Sequence, residues 1–125
     1  MTAPVWMNSV IGDFGRAAGI GDLALNARGA AAMNFENGAS LRLEYTGEEL
    51  VVAVTVPTAE LKRLLAMSHP RARHGFTVRT GVLAKSGRAV MAVRMPERDV
   101  TLPRLNAAFG VLWRLAGETG GAAWA

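Results

Sequence analysis

The sequence contains no cysteine, which removes disulfide frameworks, thiolate metal sites and cysteine nucleophiles together and suits a reducing compartment. Histidine is nearly as scarce. His69 and His74 are the only two, they flank Pro70, and no acidic side chain lies between Glu60 and Glu97 to complete a metal's ligand set. Aromatic residues make up 6% of the chain, and only Phe76 lies near the basic stretch, which leaves little for stacking nucleic-acid bases. No apolar run approaches the roughly 18 residues of a membrane span. The first twelve residues carry no Lys or Arg, and Pro4, Asn8, Ser9 and Gly12 interrupt their apolar members. A secretory signal is therefore not expected, and residence in the cytoplasm is.

What is present is a chain of 125 residues, half of them apolar and 19% charged. That mixture can bury a core, and the length suits one domain, here residues 1–118 with a loose tail over 119–125. The net charge of +4 is unevenly placed. Residues 1–61 hold three basic and seven acidic side chains, whereas residues 62–125 hold eleven basic and three acidic. Such asymmetry marks either a nucleic-acid face or a surface made to meet an acidic protein.

Trp6, Met7, Val10, Ile11, Phe14, Ala17 and Ala18 recur at helical spacing and predict a first helix over residues 3–18, started at Thr2 or Pro4 and ended by Gly19. Gly12 and Gly15 inside it each cost about 1 kcal/mol relative to Ala, so the helix needs tertiary packing. Ala31, Met33 and Phe35 then alternate with polar or small residues, as do Leu41, Leu43 and Tyr45. Asn37-Gly38 between them suits a tight hairpin, and Leu50 to Val56 completes a three-stranded meander. After Pro57, Leu61, Leu64 and Leu65 predict a short helix over 58–68, followed by a basic loop from His69 to Gly75. Phe76–Ala84 and Arg88–Met95 read as two more strands around Ser86-Gly87. Thr101 caps a last helix with Pro103 in its first turn, which Gly117 closes. The order is α-β-β-β-α-β-β-α, an α+β fold with helices packed on an antiparallel sheet.

Three motifs echo known chemistry and fail on context. Gly19-Ile20-Gly21 with Ala24 matches the dinucleotide pattern, but follows a helix instead of a strand and reads as a helix end. Lys85-Ser86 lacks the preceding glycine of a phosphate-binding loop. Asp13-Phe14-Gly15 lies in a helix of a chain too short for a kinase. Ser9, Ser40, Ser68 and Ser86 have no base-and-orienter context, so neither an enzyme nor a cofactor is expected.

Met95 through Phe109, continuing through Leu112, Arg114 and Leu115, resembles the C-terminal signature of the SycN branch of the class I chaperones of bacterial type III secretion. There a charged run and L-T-L-P lead into a helix with the same leucine and phenylalanine spacing. Phe14 to Ile20 is similar to that branch's first-helix end, and Leu41 to Val52 to its second and third strands. The likeness spans about residues 5–118.

The resemblance implies a cytoplasmic, non-catalytic subunit of a dimer, hetero- in preference to homo-, pairing with a second small chaperone of the YscB kind. It would be at most peripheral to the secretion apparatus at the inner membrane. The pair would hold the N-terminal region of a YopN-like gatekeeper, with no ATP hydrolysed and no small-molecule substrate. In such a mechanism the bound segment adds a strand to an open sheet edge and seats apolar side chains in grooves. Trp6, Val10, Phe14, Met33 and Phe35 are the candidates for that contact. Leu61, Leu64 and Leu65, with Phe76, Val78 and Val82 on the following strand, are the candidates for subunit pairing. A basic nucleic-acid-binding module and a secreted type III substrate remain the alternative readings.

Overall fold

The computed structural model describes residues 2–36, 38–56, 71–73, 76–82 and 88–120. Helix α1 spans Val5–Ala17. The strands are β1 (Ala30–Asn34), β2 (Ser40–Tyr45), β3 (Glu49–Val56), β4 (Arg71–Arg73), β5 (Phe76–Val82) and β6 (Ala89–Pro96). A 3-10 turn over Glu97–Asp99 leads into α2, Leu102–Gly120. All strand pairs are antiparallel, in the order β1-β2-β3-β6-β5-β4.

Period-two alternation decides which face of the sheet is covered. Leu41, Leu43 and Tyr45 of β2 are buried, as are Leu50, Val52, Val54 and Val56 of β3 and Ala89, Met91, Val93 and Met95 of β6. The two helices close this inner face. Met7, Ile11 and Phe14 of α1, and Leu105, Ala108, Val111, Leu112, Leu115 and Ala116 of α2, complete one core. The opposite face stays open: Val51, Ala53, Thr55, Val90 and Ala92 are half-buried, and Arg42, Arg79 and Arg94 are exposed.

Thr101 caps α2 as its type and position predict, its hydroxyl accepting the Arg104 amide at 3.3 Å. The helix does not stop at Gly117, however, and continues to Gly120. An interior glycine costs only about 1 kcal/mol, and burial of Leu115 and Ala116 on the preceding turn holds the helix past it.

A second difference lies in the expected basic loop. Arg71–Arg73 forms β4, with Arg71 opposite Val78, Ala72 opposite Thr77 and Arg73 opposite Phe76. Three residues with two arginines make a poor strand in isolation, but β5 would otherwise end the sheet, and short charged strands suit such an edge. Of the expected tail over 119–125, Thr119 and Gly120 belong to α2, and residues 121–125, like the expected helix over 58–68 and the turn at Ser86-Gly87, lie outside the described residues.

Tyr45 ties the β2–β3 turn to the 3-10 turn. Its hydroxyl donates to the Glu97 carboxylate at 2.7 Å and lies 3.0 Å from the Gly47 carbonyl. The hydrogen bond to Glu97, then burial, then the carboxylate's charge raise the phenol above its ordinary pKa. A raised folded-state value stabilises below the unfolded value and is lost as pH climbs through the folded one. Wild-type stability should therefore fall above about pH 10, and the fall should be shallower in Tyr45→Phe. Thermal melts of both proteins between neutral and strongly alkaline pH check this.

Candidate partner-binding surface

The surface begins with the way α1 ends. Gly19 takes a positive φ of 75°, and the amides of Ile20 and Gly21 both turn back to the Gly15 carbonyl, at 2.8 and 3.1 Å. The Gly-x-Gly letters are thus a helix terminus and turn. The chain then doubles back along the helix, where the Leu25 amide donates to the Asn8 side-chain oxygen at 2.8 Å and Leu23 and Leu25 are buried. β1 follows this returning segment and forms one edge of the sheet.

On the inner side of that edge a chain of aromatic rings reaches from the core to the surface. Phe14 meets Phe109 edge-on, with centroids 5.6 Å apart. Phe109 lies 5.4 Å from Trp113, and Phe35 closes the cluster at 6.4 Å from Phe109 and 4.9 Å from Trp113. Phe14 is fully buried, whereas Phe35, Phe109 and Trp113 are only half-buried. Met33 and Val10 are half-buried beside the same core, and Trp6 and Val5 on α1 are the large exposed apolar residues among the described residues, at 45% and 85%.

The five residues expected to contact a bound segment therefore separate. Trp6, Val10, Met33 and Phe35 offer surface. Phe14 does not, because it occupies the middle of the helix's apolar stripe and is covered by Phe109. Phe109 and Trp113, half-buried beside them, belong to the same surface and are not among the contact candidates. Their i,i+4 spacing on α2 marks them as neighbours, but nothing in that spacing tells how deep a stripe lies.

The pairing candidates separate as well. Phe76 and Val78 face inward and are buried in the chain's own core, Phe76 beneath the Arg104 guanidinium at 4.0 Å from the ring centroid. Leu61, Leu64 and Leu65 lie outside the described residues, and nothing of the Val82 side chain is described.

The charged groups form exposed pairs: Arg16 with Asp13 at 2.6 Å and Asp22 at 3.9 Å, Arg94 with Glu49 at 3.3 Å, and Arg42 with Glu44 at 3.9 Å. Exposed pairs of this kind add little stability. Among the described residues no group of three or more His, Cys, Asp or Glu side chains could hold a metal, and no helix is long and apolar enough to cross a membrane.

Comparison with known proteins agrees with this architecture. Chains in three solved complexes share the fold. One is in the Yersinia pestis type III secretion chaperone SycH with a stable fragment of YscM2 (16% identity, 90% of this chain and 98% of the other, TM-score 0.67). A second is in the ExsC–ExsE complex (17%, 93% and 92%, TM-score 0.69). The third is in the ExoT–SpcS complex from Pseudomonas aeruginosa (11%, 94% and 99%, TM-score 0.68). No individually curated protein matches the sequence. The family model for the type III secretory system chaperone SycN matches residues 6–119, nearly the whole of the folded chain, and the protein therefore belongs to that family of type III secretion chaperones.

Proposed function

We propose that this chain is one subunit of a heterodimeric chaperone, paired with a YscB-like subunit, that binds the N-terminal region of a YopN-like gatekeeper and keeps it ready for secretion. It works by binding alone, without catalysis or cofactor, in the bacterial cytoplasm. The observation that carries the reading is the half-buried cluster of Phe35, Phe109 and Trp113 beside an edge strand. Ordering a disordered segment costs several kcal/mol, which a contact combining backbone pairing with aromatic burial can offset. Complexes such as that of SycH with a YscM2 fragment show a chaperone of this fold with a second protein bound.

Trp6, Val10, Met33 and Phe35 belong in this reading to the bound segment, and Leu61, Leu64 and Leu65 to the partner subunit. Affinity purification from the native cell should recover one similar-sized subunit and one larger secreted protein. Phe35→Asp should lose the secreted protein by at least about tenfold while keeping the subunit, since truncating a central aromatic contact commonly costs 2 kcal/mol or more. Leu64→Asp should lose the subunit. A wild-type chain that elutes as an inert monomer without companions would remove the proposal.

A further inference from the structure

The edge of β1 is not uniformly available. In an antiparallel pair, residues alternate between turning both backbone groups toward the neighbour and turning both away. The Tyr45 amide donates to the Gly29 carbonyl at 2.7 Å and the Phe35 amide to the Ala39 carbonyl at 2.8 Å. Gly29, Ala31, Met33 and Phe35 therefore face β2, and Ala30, Ala32 and Asn34 face outward.

Ala30 is already satisfied. Its amide donates to the Asn26 Oδ1 at 3.1 Å and its carbonyl accepts the Asn26 amide at 2.9 Å. The same Oδ1 accepts the Arg28 amide at 2.9 Å, and the Gly29 amide returns to the Asn26 carbonyl at 2.9 Å. At the other end the Gly38 amide closes onto the Phe35 carbonyl at 3.0 Å. Two residues, Ala32 and Asn34, are left between these closures to present outward amides and carbonyls among the described residues.

We propose that Asn26 acts as a stop that fixes the register of a strand added at this edge, so that a partner pairs with Ala32 and Asn34 alone. The inference rests on the chaperone reading above and specifies its ligand. A side chain directly opposite Ala32 lies on the open face, and those one residue to either side lie on the inner face opposite Ala31 and Met33, with Phe35 the next inner-face residue beyond Met33. On the open face Ala32 is too small to screen Arg42, its cross-strand neighbour on β2. A depression of about 170 Å³ opens there, lined by Asn26, Ala30, Ala31, Ala32 and Arg42. An acidic side chain opposite Ala32 reaches across the alanine toward that guanidinium, 62% exposed and held only at 3.9 Å by Glu44. The occupant is thus an extended segment of a partner protein carrying an apolar–acidic–apolar triplet.

The test is residue-resolved amide exchange by NMR on the full chain, alone and with a synthetic nonapeptide bearing an Ile-Glu-Phe core in a Gly-Ser background. Alone, the Ala32 and Asn34 amides should exchange fast and the Ala30 amide slowly. Asn26→Ala should speed Ala30 by about tenfold, the loss of roughly one hydrogen bond. The peptide should protect Ala32 and Asn34 in the wild type, and Ala30 as well in Asn26→Ala. An Ile-Lys-Phe core should bind more weakly, and Arg42→Ala should erase the difference between the two peptides. Ala32→Pro removes an outward amide and leaves the β2 pairing intact, so it should abolish peptide protection in a chain that still folds. The proposal is overturned if the peptide protects no β1 amide, or if Asn26→Ala leaves Ala30 slow. Either failure can occur while the native complex still purifies, which separates it from failure of the chaperone reading.

Discussion

Gly15→Ala should destabilise the protein by up to about 2 kcal/mol, although alanine is the better helix former. A Cβ at this position would stand 2.5 Å from the Gly21 carbonyl oxygen and 2.9 Å from the Leu23 Cβ. Neither neighbour is the far end of a flexible side chain. The Gly21 amide bonds back to Gly15 itself and Leu23 is buried, so relief requires lifting the whole returning segment off α1. Overpacking of this kind typically costs about 1–3 kcal/mol, toward the upper end where backbone must move, and the roughly 1 kcal/mol that alanine's helix propensity returns offsets only part of it. Gly12 provides the control. A Cβ there meets the tip of the Arg16 side chain at 3.6 Å and the Leu23 carbonyl at 3.7 Å, ordinary contacts, so Gly12→Ala should stabilise by about 0.5–1 kcal/mol. Urea unfolding of the three proteins decides it. Equal and small shifts for both variants would mean that the segment after α1 does not sit against Gly15.

That contrast shows where sequence reasoning stops. Both glycines are visible in the sequence only as penalties inside a helical stripe. Which one is required depends on residues 21–23 returning along the helix, a tertiary fact that no local spacing contains. The meander was legible because period two and the apolar positions of β2 and β3 agree with each other, and register follows from which face is buried. The capping of α2 by Thr101 was legible for the same local reason. Arg71–Arg73 was not, since its strand state comes from pairing with β5 and not from its own propensity. The candidate surface divides in the same way. The apolar character of Phe14, Met33, Phe35, Phe109 and Trp113 can be read from period and composition, but their depth is set by how α1, α2 and β1 meet.

Depth decides the second large effect. Phe14→Ala should cost about 3–5 kcal/mol, the usual loss for emptying a buried phenylalanine site, out of the 5–15 kcal/mol that holds a typical domain together. Phe14 is fully buried, and its ring supports Phe109, which in turn positions Trp113 and Phe35. The expected result is a large drop in urea midpoint, with loss of partner binding only as a consequence of unfolding. Phe14→Leu keeps most of the volume and should cost about 1–2 kcal/mol, the edge-to-face contact included, leaving a folded chain whose partner affinity is close to wild type. Trp113→Ala should do the reverse, weakening capture of the secreted partner more than it lowers the midpoint, because its ring is only partly buried and lies at the proposed contact surface. If Phe14→Leu instead abolished capture in a chain of wild-type stability, Phe14 would have to turn outward in the complex. The buried position of Phe14 would then be only one of two arrangements of the first helix.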